Sequence, residues 1–228
     1  MIIYDPNKQF YFESKFSLRH GFTKLTPNLS VNTVFYAPAQ VHGPEIKIIK
    51  QNNNERQWLF VPEVDGLLYQ SFNPQPVCLY VRTADCLPIL LASKKNRLIG
   101  AVHMGWQGAY QDILGNLSEK LKELKVDPAD VKIIFGPAIN GGCYNISMQR
   151  YKLLQKQFSD STRSLFKAQN KYYFSLLSFA CWRLVNLGFK QGNFSWRLFC
   201  THCQNKDFYS YRLGSRHQSL ISYICNYE

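Results

Sequence analysis

Polar and apolar residues alternate along several short stretches of this chain, and other short stretches are apolar throughout. The first pattern is typical of a half-buried β-strand, and the second is typical of a strand buried on both faces. The stretches predicted as strands are 45–50, 64–69, 77–81, 88–92, 98–103, 131–135, 196–200, 208–212 and 220–225. The polar stretch 51–56 is predicted as a loop between two strands.

Helical periodicity begins after residue 112. Apolar residues then recur on one helical face, with Lys and Glu opposite them, at Ile113, Leu114, Leu117, Leu121 and Leu124. The pair Asp127-Pro128 predicts the end of that helix, and two further helices are predicted at 147–158 and 175–187. Gly188 suits the position after the last helix because glycine tolerates a left-handed backbone.

Strands and helices are interleaved without strict alternation. This order predicts a single α/β domain over residues 1–228, with mixed β-sheets, and argues against a doubly wound dinucleotide-binding fold. The lack of a Gly-x-Gly-x-x-Gly motif agrees with that prediction. A length of 228 residues is sufficient to bury a sizeable core.

The net charge of the chain is basic, but it does not identify a binding partner. Lys and Arg number 27 against 15 Asp and Glu, a formal net charge of +12. Attraction to an anion and a merely solvated surface both explain such a balance. Because no dense basic block or nucleic-acid module is recognisable, no specific nucleic-acid partner is expected.

The predicted compartment is the cytoplasm. No apolar run approaches the ~20 residues of a membrane-spanning helix, and the first residues lack the pattern of a signal peptide. The chain has 7 cysteines, an odd number at scattered positions, which favours a reducing environment over a disulfide scaffold.

Three turn-like segments each carry one residue that can bind a soft or borderline metal ion. These residues are His42, Cys86 and His103, and the last two lie at the ends of predicted strands. Two His and one Cys are ligands that Zn²⁺ prefers, and a fourth position would remain for water or substrate. Their spacing matches no short zinc-finger pattern, so the fold must bring them together.

The same residues allow two other interpretations. Cys86 beside a histidine can act as a nucleophile with its base, since a nearby cation makes the thiolate available. Alternatively, Cys86 is a buried apolar group and the two histidines are structural.

Several motifs, in order along most of the chain, resemble the bacterial laccase-domain family, also called YfiH-like polyphenol oxidases. They are Gln-Val-His-Gly at 40–43, Thr-Ala-Asp-Cys-Leu-Pro at 83–88, Ala-Val-His-Met-Gly-Trp at 101–106, Gly-Pro-Ala-Ile at 136–139, Cys-Tyr at 143–144, Cys-Thr at 200–201 and Phe-Tyr-Ser-Tyr-Arg at 208–212. The resemblance implies one zinc ion bound by His42, Cys86 and His103. It also implies a four-layer α/β fold with mixed sheets, similar to the catalytic domain of cytotoxic necrotising factor, a Cys-His deamidase.

The family resemblance further implies activity on purine nucleosides. The expected reactions are phosphorolysis of adenosine, inosine, guanosine and methylthioadenosine, and deamination of adenosine, with purine nucleosides and phosphate as partners. A role in correcting peptidoglycan precursors and the older laccase assignment, with copper as the metal, are alternatives. Five histidines are too few for the full copper set of a multicopper oxidase.

The chemical properties of side chains in and near these motifs predict their roles. Asp85 is predicted as the general acid/base, with a structural turn carboxylate as the alternative. Arg82 and Arg212 are predicted to hold phosphate, with surface ion pairs as the alternative. The residues predicted to contact substrate, by stacking on a purine or otherwise, are Gln40, Trp106, Tyr144 and Arg212.

Two features depart from the family pattern or stand outside it. Gln107 occupies a position where the family usually has Arg. The protein therefore lacks one guanidinium group that could donate hydrogen bonds to an anion, which weakens the expectation of phosphorolysis. Cys200-Thr201-His202-Cys203 resembles a metal or redox motif, but a lone Cys-x-x-Cys is weak evidence and a structural role is favoured.

Overall fold

The computed structural model describes residues 2–5, 10–13, 18–24, 33–50, 58–70, 75–161 and 163–227. Its strands, in chain order, are β1 (Ile2–Asp5), β2 (Phe10–Glu13), β3 (His20–Thr23), β4 (Val34–Pro38), β5 (Ile46–Ile49), β6 (Trp58–Val61), β7 (Gly66–Gln70), β8 (Val77–Thr83), β9 (Leu87–Ser93), β10 (Leu98–Met104), β11 (Lys132–Phe135), β12 (Asn145–Ile146), β13 (Leu165–Ala168), β14 (Lys171–Phe174), β15 (Phe194–Trp196) and β16 (Leu220–Cys225). Its helices are α1 (Trp106–Tyr110), α2 (Ile113–Glu123), α3 (Met148–Gln157) and α4 (Leu176–Asn186).

The strands form three sheets. One has seven strands in the order β1-β2-β3-β16-β8-β4-β6, one has six in the order β15-β11-β9-β10-β7-β5, and a small one has the order β12-β14-β13. The two larger sheets contain both parallel and antiparallel pairs, so the prediction of mixed α/β structure is confirmed.

The core lies on both faces of the six-stranded sheet. Every residue of β9 and β10 is buried, because alternate side chains point to opposite faces and both faces are covered. Leu90 and Ile99 face the seven-stranded sheet, whereas Leu91 and Val102 face the helices α2 and α4. The resulting layers are sheet, sheet and helix, and the predicted fourth layer stays a prediction.

Most predicted elements are confirmed. The strands predicted at 45–50, 64–69, 77–81, 88–92, 98–103, 131–135 and 220–225 correspond to β5, β7, β8, β9, β10, β11 and β16, and the three predicted helices correspond to α2, α3 and α4. The predicted loop at 51–56 lies outside the described residues. In the described part of the chain, no helix has the length and apolar character needed to cross a membrane.

Two predicted strands are wrong. The stretch 208–212 contains no strand, because Tyr211–Leu213 form a 3₁₀ turn and the Arg212 amide donates to a side-chain carboxylate instead of to a neighbouring strand. In the stretch 196–200 only Trp196 belongs to a strand, and Cys200 makes a single isolated bridge with Ala138. Both stretches have the composition of strands, but their backbone hydrogen bonds go to loops.

Candidate metal centre

Strand register brings distant parts of the chain to one end of the six-stranded sheet. β10 is antiparallel to β9 with His103 opposite Pro88, so Cys86, two residues before Pro88, lies next to the end of β10. β7 pairs with the other side of β10, with Gly66 opposite Val102, and β5 starts beside Gly66. The segment that precedes β5, with His42, therefore reaches the same end.

His42, Cys86 and His103 lie together there. Their potential ligand atoms are all within 4.8 Å of one another. The two imidazole rings meet edge to face with 4.8 Å between ring centroids. His103 is buried, Cys86 is partly exposed and His42 is exposed, so one side of the cluster is open to solvent. The predicted convergence of these residues is confirmed.

Asp65, which the sequence analysis missed, connects two sides of this cluster. Its carboxylate has no solvent exposure and lies 2.7 Å from Nδ1 of His103. It also accepts the backbone amides of Val41 and His42, both at 3.0 Å, and of Gly43 at 2.8 Å. Because Nδ1 of His103 is engaged by Asp65, Nε2 is the ring nitrogen left for a metal, the arrangement that orients many metal-binding histidines.

The turn that carries His42 has an unusual backbone. Gln40 and His42 both have positive φ angles, 58° and 62°, a conformation that is uncommon outside glycine. The Gln40 side chain donates to the Arg82 carbonyl at 2.6 Å and accepts the Arg82 amide at 2.8 Å. With the Asp65 contacts, these bonds hold the turn in place. The predicted substrate-binding amide of Gln40 is thus used to attach the turn to β8.

Asp85 holds the turn that carries Cys86. Its φ is 84°, and its carboxylate accepts the Thr201 hydroxyl at 2.6 Å and the Arg212 amide at 2.8 Å. Its carbonyl accepts the Ile139 amide at 2.9 Å. Both carboxylate oxygens are therefore engaged with two loops that surround the cluster.

Gly105 leaves room for the cluster at the end of β10. A Cβ placed on Gly105 would lie 3.0 Å from the Cys86 sulfur and 3.5 Å from Cδ2 of His42. A side chain at position 105 would therefore press on the Cys86 sulfur and lie in van der Waals contact with His42. This close approach explains a glycine between His103 and the first turn of α1.

The cluster favours a thiolate and an imidazolium in the metal-free state. Burial by itself disfavours the charged thiolate, but the charge and hydrogen bond of His103, with His42, outweigh burial and lower the pKa of Cys86 to about 6. Burial likewise disfavours protonation of His103, yet Cys86 and Asp65 raise the pKa of its imidazole to about 9. The hydrogen bonds of His103, Gly43 and His42 overcome burial at Asp65 and lower its pKa. A thiolate is the form of cysteine that binds metal.

Aromatic and cationic side chains flank the cluster. The Arg212 guanidinium lies 5.1 Å from the ring centroid of Tyr144, and that of Arg150 lies 4.3 Å from the ring centroid of Trp106. Burial, followed by the charge of Cys86, raises the pKa of the Tyr144 hydroxyl to about 12, while Arg150 and Arg212 oppose the shift. These interactions group Tyr144 and both arginines with Cys86. Arg150 was missed because it lies on a polar face of α3 with no motif around it.

Arg82 has a different environment. It is the exposed residue of an otherwise buried stretch of β8, and its guanidinium lies 5.9 Å from the ring centroid of Phe60.

Arg212 also contacts Asn145, with one guanidinium nitrogen at the side-chain oxygen and the other 3.0 Å from the carbonyl.

The fold and the site together define a class of protein. It is a mixed α/β protein with two His and one Cys at one end of a sheet, a candidate metal centre flanked by aromatic and cationic side chains. Residues 17–224 match the family model described as multi-copper polyphenol oxidoreductase laccase. The chain belongs to this laccase-domain family, as the motifs in the sequence indicate.

Curated relatives carry the name purine nucleoside phosphorylase. The chain is 33% identical to the one from Rickettsia conorii over 153 residues, which are 66% of this chain and 60% of that protein. It is 28% identical to the one from Borreliella burgdorferi over 225 residues, 95% of this chain and 91% of that protein. The chain thus spans less than two thirds of the Rickettsia relative.

A solved structure shares the fold. YlmD from Geobacillus stearothermophilus superposes with a TM-score of 0.76 at 25% identity, covering 85% of this chain and 74% of that chain.

Replacing Asp65 by Asn tests its bridging contacts. One side-chain oxygen cannot accept from three backbone amides and a histidine, and the new amide group would face donors. We expect unfolding free energy to fall by about 3 kcal/mol and metal affinity to fall about 10–100-fold. Chemical denaturation and metal titration measure both. Glu45→Gln, an exposed neighbour, is the control, and equal effects of both changes would contradict the bridging role.

Alkylation of Cys86 tests its environment in metal-free protein. Only the thiolate reacts, so the iodoacetamide rate at Cys86 should reach half its maximum near pH 6 instead of near 9.0. Peptide mass spectrometry measures this rate beside that of Cys181, whose pKa burial raises to about 11. A half-maximum for Cys86 at or above pH 9 would show that the histidines do not stabilise the thiolate.

Proposed function

We propose that this chain is a zinc-dependent purine nucleoside phosphorylase, with adenosine deamination as an accompanying activity. The observation that supports it most is the partly exposed cluster of His42, Cys86 and His103, with Tyr144 interacting with Cys86 and with two arginines. The names of the curated relatives agree with this proposal.

Zinc is the metal that the donor set fits best. Two imidazole nitrogens and one thiolate suit Zn²⁺, and three protein ligands leave a fourth position free, as in catalytic zinc sites. When bound, zinc supplies a Lewis acid that polarises an oxygen and lowers the pKa of a bound water to about 7. In this centre Asp65 orients His103 through Nδ1, and the bonds of Asp65 and Gln40 hold the turn of His42.

Arg150 and Arg212 are the proposed phosphate-binding residues. Both guanidinium groups interact with Tyr144, which itself interacts with Cys86, so an anion between them would lie beside the metal centre. Guanidinium forks suit phosphate oxygens, and here they would position phosphate for attack on the ribose carbon that bears the base. Two arginines also compensate for Gln107, which is exposed. Arg82, over Phe60, is proposed to attract anions rather than to bind the reacting phosphate.

Tyr144 and Trp106 are the proposed contacts for the purine base. Both rings are partly exposed, Trp106 is three residues from His103 and Tyr144 interacts with Cys86, and aromatic faces of this kind bind flat heterocycles by offset stacking. Arg150 covers one face of Trp106, so base and phosphate sites would adjoin. Asp85 is proposed as a positioning residue because both of its carboxylate oxygens already accept hydrogen bonds from Thr201 and Arg212.

A Cys-His hydrolase acting on an amide or a peptidoglycan precursor is the second candidate. The arrangement of Cys86, His103 and Asp65 favours it, because the carboxylate orients an imidazole that stabilises a thiolate, as in nucleophilic triads. The expected similarity to the necrotising factor deamidase points the same way. Copper-dependent phenol oxidation is less well supported, since two histidines and one cysteine here fall short of the ligands of a multicopper site.

The decisive experiment incubates zinc-loaded protein with inosine and with adenosine, in the presence and absence of phosphate, and identifies the products. We expect free base and ribose 1-phosphate only with phosphate present. Inosine from adenosine without phosphate would identify deamination alone. No product from either nucleoside, together with Cys86-dependent amide hydrolysis that persists after chelation, would favour the hydrolase instead.

Arg150→Gln and Arg212→Gln extend the same assay to the phosphate site. Losing a charged hydrogen bond to phosphate should raise the KM for phosphate about 10–100-fold, with a smaller effect on the KM for nucleoside. Arg216→Gln is the matched control because Arg216 is an exposed arginine of the same loop. Equal KM values for phosphate in all three variants would exclude this assignment.

A further inference from the structure

A second group of soft ligands lies in the loops beside the metal centre. The ligand atoms of Cys143, His202 and Cys203 are all within 4.8 Å of one another, and the sulfurs of Cys143 and Cys203 are 3.3 Å apart. Cys200, only 5% exposed, interacts electrostatically with both of these thiols, although its sulfur is not among the atoms that all lie within 4.8 Å of one another. The fold therefore adds a third cysteine, Cys143, from 60 residues before Cys203, to a Cys-x-His-Cys segment that was weak evidence in sequence.

The environment of Cys200 is that of a metal-binding thiolate. Its sulfur accepts the backbone amide of Asn140 at 3.3 Å, and the nearby backbone amides of His202 and Cys203 also favour its thiolate form. Amide donors stabilise the negative charge of a thiolate, and such hydrogen bonds support the ligands of metal sites. A buried cysteine with only an apolar packing role has no need of a backbone amide directed at its sulfur.

We propose that Cys143, Cys200, His202 and Cys203 bind a Zn²⁺ ion in a tetrahedral site with three sulfur ligands and one nitrogen ligand. Zn–S bonds of about 2.3 Å and a Zn–N bond of about 2.0 Å place tetrahedral ligand atoms roughly 3.5–3.8 Å apart. For Cys143, His202 and Cys203 the spacing reaches that range with shifts of about 1 Å or less, whereas Cys200, which lies outside this set of atoms within 4.8 Å of one another, would have to move closer to at least one of them. Four protein ligands close the site, which makes it structural rather than catalytic.

The ion would join the two loops that form the rim of the metal centre. Cys143 immediately precedes Tyr144, while Cys200, His202 and Cys203 belong to the segment that leads to Arg212. The protein contacts between these loops include the bridge of Ala138 with Cys200, the Asn140 amide at the Cys200 sulfur, and the contacts of Arg212 with Tyr144 and Asn145. A zinc ion at this point would fix the separation of the two loops.

A disulfide between Cys143 and Cys203 is the competing outcome. It would need an oxidant that removes two electrons and two protons, and it would leave Cys200 and His202 without a role. Zinc uses all four side chains and needs only the loss of the thiol protons. The proposal concerns the structure of these loops and does not depend on the proposed phosphorylase activity.

Metal analysis of untagged protein in which the first cluster has been disabled by His42→Ala and Cys86→Ser tests the proposal. After zinc exposure and gel filtration under reducing conditions, we expect about one zinc per chain, against about two for the unmodified protein. X-ray absorption of the bound zinc should fit three sulfur ligands and one nitrogen ligand, unlike the one sulfur and two nitrogens of the first cluster. Adding Cys203→Ser to the double variant should remove the remaining ion, whereas Cys181→Ser should not.

Two results would overturn the proposal. One is less than about a tenth of an equivalent of zinc in the folded double variant, with folding verified by circular dichroism. The other is zinc that remains after Cys203→Ser or whose absorption spectrum lacks three sulfur ligands. Should Cys203→Ser prevent folding, His202→Ala replaces it in the same measurement.

Discussion

The structure around the metal centre depends on one buried carboxylate. Placing a charged Asp65 out of contact with water is costly unless its oxygens are fully hydrogen bonded, and four donors from two chain segments meet that need. Three of the donors belong to the turn that carries His42, and the fourth is the ring of His103. The energetic requirement of one side chain thus sets the position of two candidate ligands.

The remaining side chains are placed by loops rather than by regular structure. The left-handed residues Gln40, His42 and Asp85 each cost about 1–3 kcal/mol of backbone strain, which persists only where surrounding contacts determine it. Here the contacts are side-chain hydrogen bonds to backbone groups. Such bonds fix the geometry of loops that have no regular secondary structure. They allow Tyr144 and Arg212, which are far apart in sequence, to lie together beside the cluster.

Sequence patterns predicted the strands and helices that carry the centre, because a strand buried on both faces is an apolar run and a helix buried on one face has apolar residues at the helical period. β9 and β10 read as apolar runs, and His103 and Cys86 stood out as metal ligands at their ends. Asp65 escaped notice because one carboxylate in the apolar stretch around β7 belongs to no motif. An acidic residue between Val64 and Gly66 was nevertheless a signal, since buried carboxylates are rare without partners. The strand prediction for 208–212 was wrong for the opposite reason. The composition of this stretch is that of a strand, but the Arg212 amide donates to the Asp85 carboxylate.

The central claim is that Asp65 holds His103 so that Nε2 of His103, the Cys86 sulfur and His42 bind one metal ion. Diffraction at the zinc absorption edge from crystals of untagged, zinc-equilibrated protein tests it most directly. We expect an anomalous peak bounded by these three side chains, with Nδ1 of His103 directed at Asp65. A peak elsewhere with no density between the three residues, or His103 bound through Nδ1 and separated from Asp65, would contradict it.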